Sequence, residues 1–229
     1  MFDSLLAIIV IIFTIVVFVA MNCLYMRWRY AFLLPILTST ILIIVLLSCF
    51  HISYETYMVG GQWINRMLGP AVVALAYPLY KQRHVLLRHA APVLTSVLIG
   101  LLTGMVSGIV LARLAGLGRE LVLSVLPKSI TTPVAIQIAS GLGGIPAMTV
   151  VAVMIAGFSG VILGPRVLGW FRIDSPLGKG IALGSASHAL GISKTAEYGE
   201  LSMSMSSVSM TLSAVLGSVI GPLLAGWFV

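Results

Sequence analysis

Long apolar blocks separated by short polar clusters make up most of the chain. Leu5 to Leu24 and Phe32 to Cys49 each approach the length, roughly 20 residues, that crosses a bilayer core as helix. Trp63 to Tyr80 is a shorter third block, disturbed by Pro70 and Pro78, and Ala91 to Ala112 is a fourth. The fourth carries Ser96, Gly100, Gly104, Ser107 and Gly108, small residues that let helix backbones approach closely. Ile145 to Leu163 and Met203 to Trp227 complete a set of six expected spans.

Two further blocks interrupt themselves. Leu121 to Ala139 begins as a membrane-grade run and then meets Pro127, Lys128, Ser129, Thr131, Thr132 and Pro133. A proline inside a helix costs roughly 3 kcal/mol, and a lysine at mid-membrane depth roughly 2.5–3.5 kcal/mol more. Gly180 to Ser193 holds the second break, Gly184-Ser-Ala-Ser-His-Ala-Leu-Gly191. Unwound backbone at membrane depth is tolerated only where protein buries it or a wet cavity receives it. Both breaks are therefore expected to build a site.

The expected fold is all-α: six transmembrane helices plus two re-entrant or broken segments, within one membrane domain covering 1–229. Eight full spans are the alternative. If both broken blocks cross, Lys and Arg divide evenly between the two sides. If both are re-entrant, Arg27, Arg29, Lys81, Arg83, Arg88, Arg166, Arg172, Lys179 and Lys194 share one side, against Arg66, Arg113 and Arg119. The positive-inside rule favours the second arrangement, with both termini outside. The first apolar block has no basic leader and reads as a span rather than a cleaved signal. An internal echo supports re-entrant breaks. Gly160-Val-Ile-Leu-Gly-Pro165 and Gly217-Ser-Val-Ile-Gly-Pro222 close two helices at an offset of 57 (222 − 165). That offset carries one break onto the other and defines repeat units 121–165 and 178–222, in the inverted arrangement of many secondary transporters.

Composition sharpens the class. The chain of 229 residues is 59% hydrophobic and 8% charged, with a mean hydropathy of +1.13; soluble domains carry roughly 25% charged residues. A net charge of +7 in such a chain reports orientation, and nucleic acid is not an expected partner. Cys23 and Cys49 sit in or beside apolar blocks and read as packing residues rather than a disulfide.

The candidate site is drawn from the two breaks. Lys128, Ser129, Thr131, Thr132, Ser185, Ser187 and His188 are the expected substrate-binding residues, a donor-rich set suited to a small anion. Lys128 needs an anionic partner, which is a substrate carboxylate, or Glu197 or Glu200, unless the side chain snorkels to the interface. His188 and Glu197 are the proton-coupling candidates. Tyr77, Pro78 and Pro133 are candidate pocket walls. The Met/Ser alternation after Leu201 reads as helix packing. No phosphate-binding G-x-x-x-x-G-K-[ST], no His/Cys cluster with metal spacing and no nucleophile–base–acid set is present, so neither metal, cofactor nor enzyme chemistry is expected.

Leu68–Tyr80 (LGPAVVALAYPLY), Leu126–Ile136 (LPKSITTPVAI), Gly141–Ala147 (GLGGIPA) and Gly180–Gly191 (GIALGSASHALG) resemble, in order, the signature stretches of the LrgB/CidB family of bacterial membrane proteins. The likeness runs from about Tyr54 to the C-terminus. Where relatives more often carry a Thr-Ala-Arg-like run, this chain has Ile192-Ser-Lys194. The resemblance implies two functions. One is a carrier of small 2-oxo or 2-hydroxy monocarboxylates such as pyruvate or glycolate, for which coupling to H⁺ or Na⁺ is this reading's own expectation. The other is a holin- or antiholin-like modulator of murein hydrolase activity and lysis. It also implies a bacterial cell membrane location and a small LrgA/CidA-like membrane subunit as partner beside lipid, with a homo-oligomer left open. The residue pattern favours the carrier.

Overall fold

The computed structural model describes residues 2–28, 30, 33–74 and 76–228, the side chains of residues 2, 3, 72 and 78 excepted. Arg29 and Phe32, used above in placing the first loop and second span, lie outside the described residues. Every extended element is helical, and the chain separates into two compact units, 1–71 and 72–229.

The first unit holds α1 (Phe2–Trp28), α2 (Pro35–Cys49) and α3 (Tyr54–Arg66). Both α2 and α3 pack on α1. Gly60 of α3 lets the backbone close on Val10 and the carbonyl of Ala7, and Thr14 Oγ1 lies 3.0 Å from the Tyr57 hydroxyl. The third block is interrupted at its start. The chain turns at Met67 and continues in α4 (Leu68–Ala74), α5 (Ala76–Lys81) and α6 (Arg83–Arg88), with residue 75 between α4 and α5 outside the described residues.

The second unit continues through α7 (Ala90–Leu114), α8 (Arg119–Val125), α9 (Thr132–Leu142), α10 (Pro146–Trp170), α11 (Pro176–Thr195) and α12 (Glu200–Phe228). Helices α1, α7, α10 and α12 are long and apolar enough to cross a membrane, and α2 and α9 are shorter apolar helices. This is an all-α, multi-pass membrane protein.

Both interrupted blocks fold as hairpins. In the first, α8 runs inward, the chain turns through 126–131, and α9 returns. Ser124 Oγ at the end of α8 accepts a hydrogen bond from Ile145 N–H, 2.7 Å away, just beyond the end of α9. This bond ties the two arms together. In the second, α11 reverses inside its own length at His188, whose φ of 44° and ψ of −127° are non-helical. A methyl on Gly191 would collide with the carbonyl of Leu183, eight positions earlier, which is possible only if the chain has doubled back. The base of this hairpin is tied to the start of α12 by Ser202 Oγ donating to Pro176 O at 3.0 Å.

The hairpins enter from opposite ends. The first has its base beside the start of α10. The second has its base beside the end of α10, since Leu183 packs on Gly164 and Ser187, nearer the tip, on Gly160. Two apolar clusters hold them. Met105, Ile109, Leu126, Ile130, Ala135, Ile138 and Val153 centre on the first hairpin. Val93, Val97, Ile181, Met205 and Val208 centre on the second. Small residues make the fit. Gly104 faces Ser129, Gly108 carries the aliphatic stem of Lys128, and Gly184 admits the backbone of Ser206.

Candidate functional site

The tips of the two hairpins meet. Lys128 lies in the turn between α8 and α9, and its main-chain oxygen is 3.3 Å from His188 Nε2. His188 is 4% exposed, with its ring edge over Gly157 of α10. Thr131 begins α9 as its N-cap residue without a side-chain capping bond, while its carbonyl receives the N–H groups of Val134 and Ala135. Pro133, in the first turn of α9, supplies no donor, which is where a proline is tolerated.

A cavity of about 710 Å³ lies against these tips. Its floor is Val125, Lys128 and Ser129 of the first hairpin with Ser185 and Ala186 of the second. One wall is α7, through Gly100, Thr103, Gly104 and Ser107; the other is α10, through Ala152, Ile155, Ala156, Ser159 and Gly160. The lining holds one cation and no carboxylate. Lys128 is half-buried, and Nζ donates to Ser129 Oγ at 3.4 Å. Among the described residues no acid lies within ion-pair reach of it. Glu197 is engaged elsewhere, 2.6 Å from Lys194 Nζ at the base of the second hairpin.

The hydroxyls divide by what they can still do. Ser107, Ser159 and Ser185 donate to the carbonyls of Gly104, Ala156 and Ile181, so they offer lone pairs to the cavity. Ser129 accepts from Lys128 and keeps its proton. An ammonium and a serine proton, in one cavity with acceptor oxygens, suit a small anion that also carries a donor.

Of the residues anticipated from sequence, the structure brings Lys128, Ser129 and Ser185 into the cavity, with Ser187 and His188 at the adjoining tip. Ser187 is fully buried and its hydroxyl has no hydrogen-bond partner. Thr131, Thr132 and Pro133 open α9 and are not in the lining. Tyr77 is 65% exposed on α5 and does not line the cavity; the side chain of Pro78 lies outside the described residues. Thr103, Ser107 and Ser159 were not anticipated. The spacing of Gly100, Gly104, Ser107 and Gly108 along one helical face signalled close packing, and that same face borders the cavity. Nothing local marked Ser159.

Opposed broken hairpins meeting around an unpaired ammonium define a membrane protein with an internal polar site. Residues 14–227 match the LrgB-like family, and the chain belongs to that family. It is 64% identical over 226 residues to YxaC of Bacillus subtilis, covering 99% of this chain and 98% of that one. It is 37% identical over 222 residues to the holin-like protein CidB of Staphylococcus aureus, covering 97% of each. YwbG of Bacillus subtilis is 35% identical over 211 residues, covering 92% of this chain and 94% of YwbG. No solved structure matches.

Proposed function

We propose that the chain is a secondary carrier of a small monocarboxylate, of the pyruvate or glycolate kind, driven by a proton or sodium gradient. One observation carries this reading: Lys128 lies at the meeting of two opposed hairpins, in a cavity of about 710 Å³ without a carboxylate. An intramembrane ammonium without a protein counter-ion is expensive, and a substrate carboxylate supplies the missing charge. The neighbouring hydroxyls would hold its polar substituent. His188, hydrogen-bonded to the tip that carries Lys128, is the residue through which a proton would couple. Because Glu197 is already engaged by Lys194, it is the weaker coupling candidate. The reading needs no cofactor and no enzymatic step.

The charge distribution supports an orientation with the C-terminus outside. Lys81, Arg83, Arg88, Arg166, Arg172, Lys179 and Lys194 gather toward the start of α7 and the end of α10, against Arg113 and Arg119 at the opposite end. A bacterial cell membrane is the proposed location.

The Staphylococcus aureus relative is a holin-like protein, which favours a second reading, in which this chain modulates murein hydrolase activity and lysis. The comparisons lean toward this reading and the cavity toward the first. A small LrgA/CidA-like subunit is a proposed partner under either. Reconstitution separates them: a carrier takes up labelled pyruvate or glycolate without leaking trapped dye. A holin-like assembly releases dye in proportion to protein density and shows no saturable uptake.

A further inference from the structure

The contacts that seat the hairpins recur at the offset of 57. Gly160 meets Ser187 and Gly217 meets Ile130, where 160 + 57 = 217 and 187 − 57 = 130. Gly164 meets Leu183 and Gly221 meets Leu126, where 164 + 57 = 221 and 183 − 57 = 126. Each long helix therefore grips the other unit's hairpin through the same pair of glycines. The two units, hairpin plus long helix, are related by an internal two-fold.

The same offset pairs four residues of the cavity floor: Lys128 corresponds to Ser185 and Ser129 to Ala186. The α10 wall has its counterpart elsewhere. Ala152, Ala156 and Gly160 correspond to Ser209, Ser213 and Gly217 of α12. That face is closed: Ser209 and Ser213 are buried, and Gly217 is sealed by Ile130. It is also oddly polar for a packed surface. A helical serine in an apolar setting usually bonds back to its own helix, as Ser209 does to Ser206 O at 3.1 Å. Ser213, 1% exposed, has no partner at all. A buried hydroxyl so stranded is destabilising in the state that buries it.

We propose that the Ser209–Ser213–Gly217 face of α12 is a second wall of the binding site, closed here, that receives the substrate when the cavity bounded by α10 closes. The inference rests on the carrier reading and adds to it the residues exposed in the opposite access state. Alternating access then exchanges α10 for α12 about a floor that both states share, and the unpaired Ser213 hydroxyl finds its partner in substrate or water.

Single cysteines at two equivalent positions test this, in proteoliposomes of a Cys23→Ser/Cys49→Ser background; both native cysteines are exposed, and neither lines the cavity. Ala156→Cys and Ser213→Cys are each treated with a membrane-impermeant maleimide, from either side, with and without saturating glycolate. The expected result is that both positions react, from opposite sides, and that glycolate slows each several-fold. Ser209→Cys provides a second reporter on the same face should Ser213→Cys fold poorly. Unreactive Ser213→Cys and Ser209→Cys, in a background that still takes up glycolate, overturn the second wall and leave the carrier intact. Absence of uptake in the wild-type chain for glycolate and pyruvate alike removes the carrier reading and this inference with it.

Discussion

His188 Nε2 and the main-chain oxygen of Lys128, sixty positions apart, lie 3.3 Å from one another at the crossing of the two hairpins. The bond joins side chain to backbone, so it fixes the position of the first tip without consuming the lysine ammonium. His188 holds this place with φ at 44° and ψ at −127°, a conformation that costs a non-glycine residue about 1–3 kcal/mol. His188→Ala keeps that strain and loses the bond, whereas His188→Gly loses the bond and releases the strain. Thermal unfolding in detergent should rank wild type above His188→Gly and His188→Gly above His188→Ala, and both variants should lose most uptake.

The two arms of the first hairpin are tied together by Ser124, which is fully buried. Its hydroxyl donates to Glu120 O at 2.6 Å and accepts from Ile145 N–H at 2.7 Å. Ser124→Ala leaves that N–H without its partner, at a cost of about 1–3 kcal/mol. The expected outcome is a lower unfolding temperature with residual uptake by the fraction that stays folded.

Three glycines separate packing from propensity. A methyl at Gly184 would meet the main-chain oxygen of Ser206, which cannot move aside. At Gly217 it would meet Ile130 Cδ1, the free end of a flexible side chain, and at Gly100 only Ser185 Oγ at an ordinary 3.5 Å. Gly184→Ala should therefore be the most destabilising, at the upper part of the roughly 1–3 kcal/mol range for overpacking. Gly217→Ala should cost less, and Gly100→Ala should be neutral or gain from the roughly 1 kcal/mol by which alanine exceeds glycine in a helix. Unfolding midpoints of the three variants give the ranking.

Glu197 and Lys194 form a partly exposed pair at 2.6 Å, of the kind that contributes roughly 0.2–1 kcal/mol. Glu197→Gln should leave both stability and the pH dependence of uptake close to wild type, while His188→Gln should flatten that pH dependence.

Much of this site was legible before the structure, for a physical reason. Prolines and a lysine inside an apolar run are costly enough to announce the first break, and its hairpin was the re-entrant option favoured by charge. The second break was marked by glycines and a histidine, but its reversal sits on His188 itself, a non-glycine residue in a conformation no local pattern forecasts. The stretch from Trp63 to Tyr80 was hydrophobic enough to suggest a span, and a turn at Met67 interrupts it. The α7 wall showed in sequence only as a run of small residues. Whether such a run faces a helix or a cavity is decided by what lies opposite, which no single helix encodes.

The account turns on the charge of Lys128, and saturable uptake of labelled glycolate into proteoliposomes reads it most directly, comparing wild type, Lys128→Arg and Lys128→Met. Lys128→Met keeps the stem that packs on Gly108 and removes only the ammonium. The account predicts loss of uptake in Lys128→Met with wild-type folding and dye retention, and partial activity in Lys128→Arg. Uptake by Lys128→Met at the wild-type rate would contradict it.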